Sequence, residues 1–205
     1  MYQEFGVRLF QAAALTDTGE TLLATGRHTQ AHGSFTAALT LAQQAGNQRE
    51  QARALSKLGE ACHHQGHHDQ ATGYHQQALA LYQHIGDRGG HTEALNGAGE
   101  TLLATAQHTP AQDLFTAALT LARCTGDRYQ QARAHRGLAA TYHAVGDTTS
   151  AGQHRQHAHD IYTGLGVPEA TRIRASPGAS EDPAKSPASL LNTPQVSSPS
   201  SAGRP

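Results

Sequence analysis

Four histidines between residues 63 and 68 form the densest group of metal-ligating side chains in the chain. They are His63, His64, His67 and His68, flanked by Cys62 and Asp69. Zinc or nickel needs three or four such side chains converging at about 2.0–2.3 Å. The run crosses Gly66, which interrupts a helical pattern, so some rings are expected to point outward. Because the other eleven histidines are scattered along the chain, metal binding is a minor alternative, and no cofactor is predicted.

Three glutamates recur at a constant interval along the sequence, namely Glu20, Glu60 and Glu100. In a chain of regular repeats they would stack as an acidic row, which Ala140 ends. Basic side chains lie near this row on the same segments: Arg53, Lys57, Arg133 and Arg136. What this charged set does depends on the elements that carry it.

No pattern in the sequence indicates catalysis. The GxxxxGK[ST] phosphate-binding loop and the HExxH zinc motif are both absent. Cys62 lies at an apolar helix position and is expected to be a packing residue. Cys124, near a helix end, has no base placed beside it by the repeat. We therefore predict that the protein is not an enzyme.

The composition excludes several classes of partner. The chain has 205 residues, a formal net charge of −1 and 37% apolar residues. A nearly neutral chain has no long-range field to attract nucleic acid. No run approaches the roughly 18 apolar residues of a membrane span, and the start does not resemble a signal peptide. These features predict a cytoplasmic protein without nucleic-acid or membrane partners.

The chain is built from repeats of constant length. Gly46, Gly86, Gly126 and Gly166 share the interval of the three glutamates, and several alanines and leucines follow it. Residues 19–42 and 99–122 are identical at 18 of 24 positions, which indicates duplication of a block of two repeats. A fixed period of this size is typical of a solenoid, in which each unit buries its apolar face against its neighbours. The predicted units are residues 8–46, 48–86, 88–126 and 128–166.

Within each unit the apolar spacing is that of two helices. Gly66 separates the two halves of the second unit, and Gly86-Asp87 and Gly126-Asp127 join successive units. Glycine there can adopt the left-handed conformation that ends a helix, and aspartate can cap the next helix. The sequence therefore predicts an all-α fold of eight helices in antiparallel pairs, with no strand.

The small residues at fixed positions of each pair resemble those of the tetratricopeptide repeat family. Gly59, Ala71 and Ala78 match its three small positions, and Phe35 and Phe115 match the aromatic position of the second helix. Leu15, Leu55 and Leu95 stand where the family often has a large residue. The resemblance covers residues 2–174 and implies a right-handed superhelix. The period is 40 residues, the spacing from Gly46 to Gly86, and exceeds the family's usual value of about 34. The roughly six extra residues are expected at the Gly-Asp joints.

The resemblance also implies where the charged set lies. In this family the first helices of successive pairs line a concave groove, so the glutamate row would face it. A groove lined in this way favours a protein or peptide ligand with basic or amide groups, bound without catalysis. The alternative is a solvated face with ion pairs between repeats, each worth about 0–1 kcal/mol.

The long period resembles that of the repeats of kinesin light chains and of large actinobacterial regulators that carry an NB-ARC ATPase module. The segment 161–170 is similar to the way the arrays of those regulators finish. The sequence contains neither the ATPase loop nor room for a DNA-binding domain. An alternative interpretation is therefore a truncated remnant of such a transcriptional regulator with no independent activity.

The two ends of the array differ. His135, Arg155 and His159 replace apolar residues in the fourth unit, as expected where an outer face meets water before a short C-terminal cap. At the other end, the period aligns Gly6 with Gly86, so residues 1–7 are interpreted as the remnant of a preceding repeat. Apolar residues there, Phe5, Leu9 and Phe10, predict self-association as a weak homodimer.

Residues 175–205 differ in composition from the repeats. From position 176 they contain six prolines and eight serines and no aromatic residue. Such a segment buries too little apolar area to offset its ordering entropy. We predict a disordered Pro/Ser-rich tail.

Overall fold

A computed structural model describes residues 2–174, which form nine α-helices and no strand within that range. The first eight helices form four pairs, and a short ninth helix follows them. Their bounds are α1 Tyr2–Ala24, α2 His28–Gln44, α3 Gln48–His64, α4 His68–Ile85, α5 Arg88–Ala104, α6 His108–Thr125, α7 Arg128–Ala144, α8 Thr148–Leu165 and α9 Glu169–Arg174. The predicted tail, 175–205, lies outside the described residues.

The joints between pairs end and begin helices as predicted. Gly86 and Gly126 have φ of 70° and 73°, the left-handed conformation that glycine adopts without strain. The side chain of Asp87 accepts a hydrogen bond from the Gly90 N–H, and that of Asp127 accepts one from the Gln130 N–H, each at 3.0 Å. The prediction that a glycine and an aspartate separate successive pairs is confirmed there.

The joints are short, so the extra length of the long period is not in them. Two or three residues separate each of the first eight helices from the next, and α2 to α8 contain 17 or 18 residues each. The expectation that the extra length lies at the Gly-Asp joints is therefore wrong, because that length forms helix.

Each helix packs on the next, and α1, α3, α5 and α7 also pack on one another in succession. No comparable packing joins the even-numbered helices that the structure describes. The odd-numbered helices therefore form the closer, inner side of a curved stack, and the even-numbered helices form its outer side. The result is a solenoid of helical hairpins with one concave face. No helix within the described range is both long and apolar enough to cross a membrane.

Rings from the outer helices pack against glycines of the inner helices. Phe35 and Phe115 are fully buried. A Cβ on Gly19 would lie 2.4 Å from the Phe35 ring, and Cβ atoms on Gly99 and Gly137 would lie 2.7 and 2.3 Å from the Phe115 ring. Glycine is required at these positions because a real Cβ does not approach a ring so closely. These contacts fix the distance between the two layers of helices.

At the ends of the array the structure differs from two expectations, namely that Gly6 ends a helix as Gly86 does and that His135 faces water. Gly6 lies inside α1, which continues unbroken from Tyr2, so residues 2–7 are the first turns of this helix. The reason is local, because Val7 follows Gly6 where Asp87 follows Gly86, and valine cannot cap a new helix. His135 is buried between α7 and α8, so it does not face water as expected of a terminal unit.

Candidate binding groove

A cleft of about 530 Å³ runs along the concave face. All seven predicted groove residues line it: Glu20 from α1, Arg53, Lys57 and Glu60 from α3, Glu100 from α5, and Arg133 and Arg136 from α7. His63, His64, Glu93, Tyr129 and Gln130 complete most of the lining. The cleft is thus built from all four inner helices.

Arg133 is the centre of the charged groups in this cleft. Its Nε donates to Oε1 of Glu100 at 3.0 Å, and its Nη2 donates to Oε2 of the same carboxylate at 2.7 Å. The same Nη2 donates to Oε1 of Glu60 at 3.1 Å. Arg136 also donates to Glu100, at 2.7 Å. One guanidinium therefore joins carboxylates from two different repeats.

Lys57 of α3 likewise joins carboxylates from different inner helices. Its Nζ donates to Glu93 at 2.5 Å and to Glu60 at 3.1 Å, and lies 3.7 Å from a Glu20 oxygen. Arg53 donates to Asp17 at 2.7 Å and to Glu20 at 3.0 Å. The connected set is called the charge ladder below and consists of Asp17, Glu20, Arg53, Lys57, Glu60, Glu93, Glu100, Arg133 and Arg136.

The charges at the middle of the ladder are held in their ionised forms. Burial alone would raise the pKa of Glu60, but the cations of Lys57 and Arg133 outweigh it and lower the pKa to about 2. Burial is likewise outweighed at Glu100, where Arg133 and Arg136 hold the pKa well below its ordinary value. The side chains of Arg133, Glu60 and Lys57, in the middle of the ladder, are only 12–14% exposed. Ion pairs between repeats, which the sequence analysis gave as the alternative to a ligand-binding groove, are therefore present in the cleft.

The two ends of the ladder keep polar atoms that the ladder does not use. The second carboxylate oxygens of Glu20 and Glu93 have no hydrogen-bond partner among the described residues. At the α7 end, Arg136 is 44% exposed and uses one nitrogen in its bond to Glu100. Hydrogen-bond acceptors are therefore available to a ligand near α1, α3 and α5, and hydrogen-bond donors are available near α7.

Glu93 and Asp17 are members of the ladder that the sequence analysis missed. Glu93 lies at the same repeat position as Arg53 and Arg133, so the sign of the charge alternates along the solenoid at that position. The period contains this signal, but a position of alternating sign does not stand out as a row of constant sign does.

The predicted histidine group is only partly brought together. The rings of His63 and His68 have centroids 5.6 Å apart, and His64 stacks on His28 of the first repeat at 5.1 Å. His67 takes no part in these ring contacts. In the part of the chain that the structure describes, no group of three or more His, Cys, Asp or Glu side chains is arranged to hold a metal ion.

A second histidine group, unpredicted, lies between α7 and α8. The Nδ1 atoms of His135 and His154 are 2.8 Å apart, and the ring of His157 is centred 5.0 Å from that of His135. Burial and the two neighbouring rings lower the pKa of His135 to about 4. His135 stands at the repeat position of Leu55 and Leu95, which was the signal available in the sequence.

The cysteines lie where the sequence placed them. Cys62 is fully buried in α3, and burial raises the pKa of its thiol. Cys124 is exposed. No base among the described residues hydrogen-bonds to either thiol, since the only such contact runs from Cys62 to the Gln70 amide oxygen at 3.8 Å.

Comparisons with solved structures identify the same architecture. A Rap protein complexed with competence and sporulation factor is 18% identical with a TM-score of 0.74, and the match covers 80% of this chain and 46% of that one. BtubC from P. vanneervenii is 18% identical with a TM-score of 0.61, covering 94% and 70%. A kinesin light chain from Podosopora anserina with TPR-like repeats is 12% identical with a TM-score of 0.62, covering 79% and 81%. This chain thus spans about half the length of the Rap protein.

The family itself is identified from sequence. No curated protein sequence matches the chain. The profile described as tetratricopeptide repeat matches twice, at residues 10–84 and 50–123, which together are more than half of the chain. Together with the repeated hairpins and their small-residue contacts, these matches show that the chain belongs to the tetratricopeptide repeat family.

Proposed function

We propose that the protein is a non-catalytic scaffold whose concave groove binds an extended segment of a protein or peptide partner. The observation that carries the proposal is the polar cleft formed jointly by all four inner helices. A similarly folded Rap protein was solved in complex with competence and sporulation factor, which agrees with the use of this architecture for ligand binding. Because the ladder fixes its own side chains, a ligand would meet polar groups that are already ordered.

The unused polar atoms favour a ligand with basic or amide groups near α1, α3 and α5. Glu20 and Glu93 each offer a second carboxylate oxygen to a cation or an N–H group. The ladder has five carboxylates and four cations among the described residues, so its net charge of about −1 also favours a basic segment. Arg136 would meet a carbonyl or carboxylate of the same segment.

Neutralising the two available carboxylates should weaken the binding of basic peptides. The probe is a fluorescein-labelled peptide of alternating lysine and serine, compared with its glutamate counterpart by fluorescence anisotropy. Glu20→Gln with Glu93→Gln is expected to raise the Kd of the lysine peptide about tenfold, because each carboxylate loses a charge-assisted contact. Asp113→Asn with Asp160→Asn, on the outer helices, is the matched control and should leave the Kd unchanged. Equal Kd values for wild type and the Glu20/Glu93 variant would contradict the proposal.

The sequence alone favours a different test, Glu60→Lys with Glu100→Lys. In the folded protein both carboxylates bind Arg133, so two lysines would place like charges beside a buried guanidinium. That variant would lose stability as well as binding, which is why the exposed members of the ladder are the better choice.

A second proposal concerns self-association through α1. Phe10 is 80% exposed and Val7 is 55% exposed on this helix, and Leu9 is half-buried. The side chain of Phe5, the third member of the predicted set, lies outside the described part of the chain. Exposed apolar residues clustered on one helix favour a contact between two copies, and the cost of association keeps it weak.

Removing one ring should shift the protein toward monomer. Phe10→Ser is expected to raise the dimer dissociation constant about tenfold or more, since burial of a phenylalanine is worth roughly 1.5–3 kcal/mol. Val145→Ser removes an exposed apolar side chain elsewhere and should have no effect. Sedimentation velocity over a range of protein concentrations measures the dissociation constants of both variants. A wild type that stays monomeric at high concentration would refute self-association.

Two further proposals concern the relatives and the location of the protein. The period and the segment 161–170 support a relationship to the repeat arrays of actinobacterial NB-ARC regulators. A cytoplasmic location would accompany either function.

A further inference from the structure

His75 occupies a core position that two other repeats give to phenylalanine. The repeat period aligns it with Phe35 and Phe115, and its side chain is 1% exposed. A Cβ on Gly59 of α3 would lie 2.6 Å from Cε1 of His75, and one on Gly97 of α5 would lie 2.7 Å from the same atom. The imidazole is therefore clamped between the second repeat and the third.

Neither nitrogen of this ring has a hydrogen-bond partner among the described residues. The charged and titratable groups that face it are Glu60 and His63 of α3, Glu100 of α5 and Arg133 of α7. Both carboxylates are already bound to Arg133, so they offer little to a proton on the ring. Burial dominates, and it lowers the pKa of His75 from 6.5 to about 4.

We propose that His75 makes the contact between the second and third repeats sensitive to acid. In the closed contact the clamped ring stays neutral, because its charged form would have neither water nor a partner. When the contact opens, the ring reaches water and can take up a proton. Acid therefore favours the open form, and this inference does not depend on any ligand of the groove.

The sign and the pH range follow from the two protonation equilibria. Above pH 6.5 the ring is neutral in the open and the closed form, so His75 has no effect on the equilibrium. Below pH 6.5 the open form binds a proton that the closed form refuses until about pH 4. Unfolding exposes the ring to water as opening does, so between pH 8 and pH 5 this difference also raises the equilibrium constant for unfolding about 30-fold. Glu60 and Glu100 stay ionised in this range because their pKa values are low.

Substitution of the ring by its counterpart in the other repeats tests the proposal. Between pH 8 and pH 5, the unfolding constant of His75→Phe, from urea titrations, should rise about 30-fold less than that of wild type. His75→Leu is a second apolar variant for the same comparison. His84→Gln, at an exposed position of the same helix, should behave like wild type. An identical pH dependence in wild type and in both apolar variants would overturn the proposal.

The two cysteines test whether acid opens the second repeat around His75. Cys62 is buried in α3, one helical turn from Gly59, and Cys124 is exposed and serves as the internal reference. With 4,4′-dithiodipyridine, which reacts with thiols at acid pH, the Cys62 rate relative to Cys124 should rise from pH 8 to pH 5 in wild type. His75→Phe should suppress that rise, whereas His135→Leu, which removes the other buried histidine of low pKa, should retain it. Equal rises in wild type and His75→Phe would refute an acid-driven opening around His75.

Discussion

Replacement of Arg133 by methionine is expected to lower the free energy of unfolding by about 3–5 kcal/mol. The guanidinium makes three hydrogen bonds to Glu60 and Glu100, and methionine can make none of them. Both carboxylates are mostly shielded from water, and Glu100 would lose its main partner and Glu60 one of its two cations. Leaving buried carboxylates short of a partner costs more than the intact pairs contribute. Urea unfolding at neutral pH, followed by circular dichroism, measures the change.

Two further variants separate the loss of the partner from the loss of the side chain. Arg136→Met removes a more exposed arginine from Glu100 and should cost no more than about 1 kcal/mol, because Arg133 stays in place. Adding Glu60→Gln and Glu100→Gln to Arg133→Met should recover part of the stability, since no buried charge is left unpaired. A single Arg133→Met variant within about 1 kcal/mol of wild type would mean that the centre of the ladder is better solvated than its burial implies.

Gly137→Ala and Gly152→Ala are expected to change stability in opposite directions. A Cβ on Gly137 would lie 2.3 Å from the fully buried Phe115 ring, which Gly99 confines on its other side. The ring must move within a closed core, and such overpacking costs typically about 1–3 kcal/mol. A Cβ on Gly152 of α8 meets no atom within 4 Å, so alanine should stabilise this helix by about 0.5–1 kcal/mol.

The pair shares one chemical change and differs only in the space available. Thermal unfolding of the two variants beside wild type measures the difference, with Gly137→Ala melting below wild type and Gly152→Ala above it. If both glycines tolerated alanine equally, the close contact between the layers would not limit the packing of the solenoid.

The period predicted the fold and the members of the cleft because repetition is itself a long-range signal. Residues one period apart occupy equivalent places on neighbouring inner helices, so Glu20, Glu60 and Glu100 could be placed on one face without any structure. The aspartates after Gly86 and Gly126 act locally, and their capping role follows from the residue type. These predictions depended on information that is either local to one helix or repeated from one unit to the next.

The ion-pair partners could not be predicted in the same way. The sequence separation is 33 both for Arg133 with Glu100 and for Arg53 with Glu20, and it is 36 for Lys57 with Glu93. Each separation is shorter than one period by about one or two helical turns. The difference reflects how far a side chain reaches along its helix to meet a side chain on the neighbouring helix. That offset depends on how the inner helices are stacked, and no single repeat contains it.

His135 shows a different limit of prediction from sequence. A histidine in place of leucine in the last unit was interpreted as adaptation to water, yet the ring is buried against His154. Substitution type alone does not distinguish a polar residue that faces solvent from one that finds a polar partner in the neighbouring helix.

The bond between Arg133 and Glu60 has a consequence for how the solenoid unfolds. It connects α7 with α3 and so joins the fourth repeat to the second across the third. Repeat proteins held only by contacts between neighbours lose their units in sequence from the ends. A link that spans an intervening repeat penalises the loss of the fourth unit alone, since its release also disrupts the middle of the chain. The long reach of one arginine therefore increases the cooperativity of unfolding across the last three repeats.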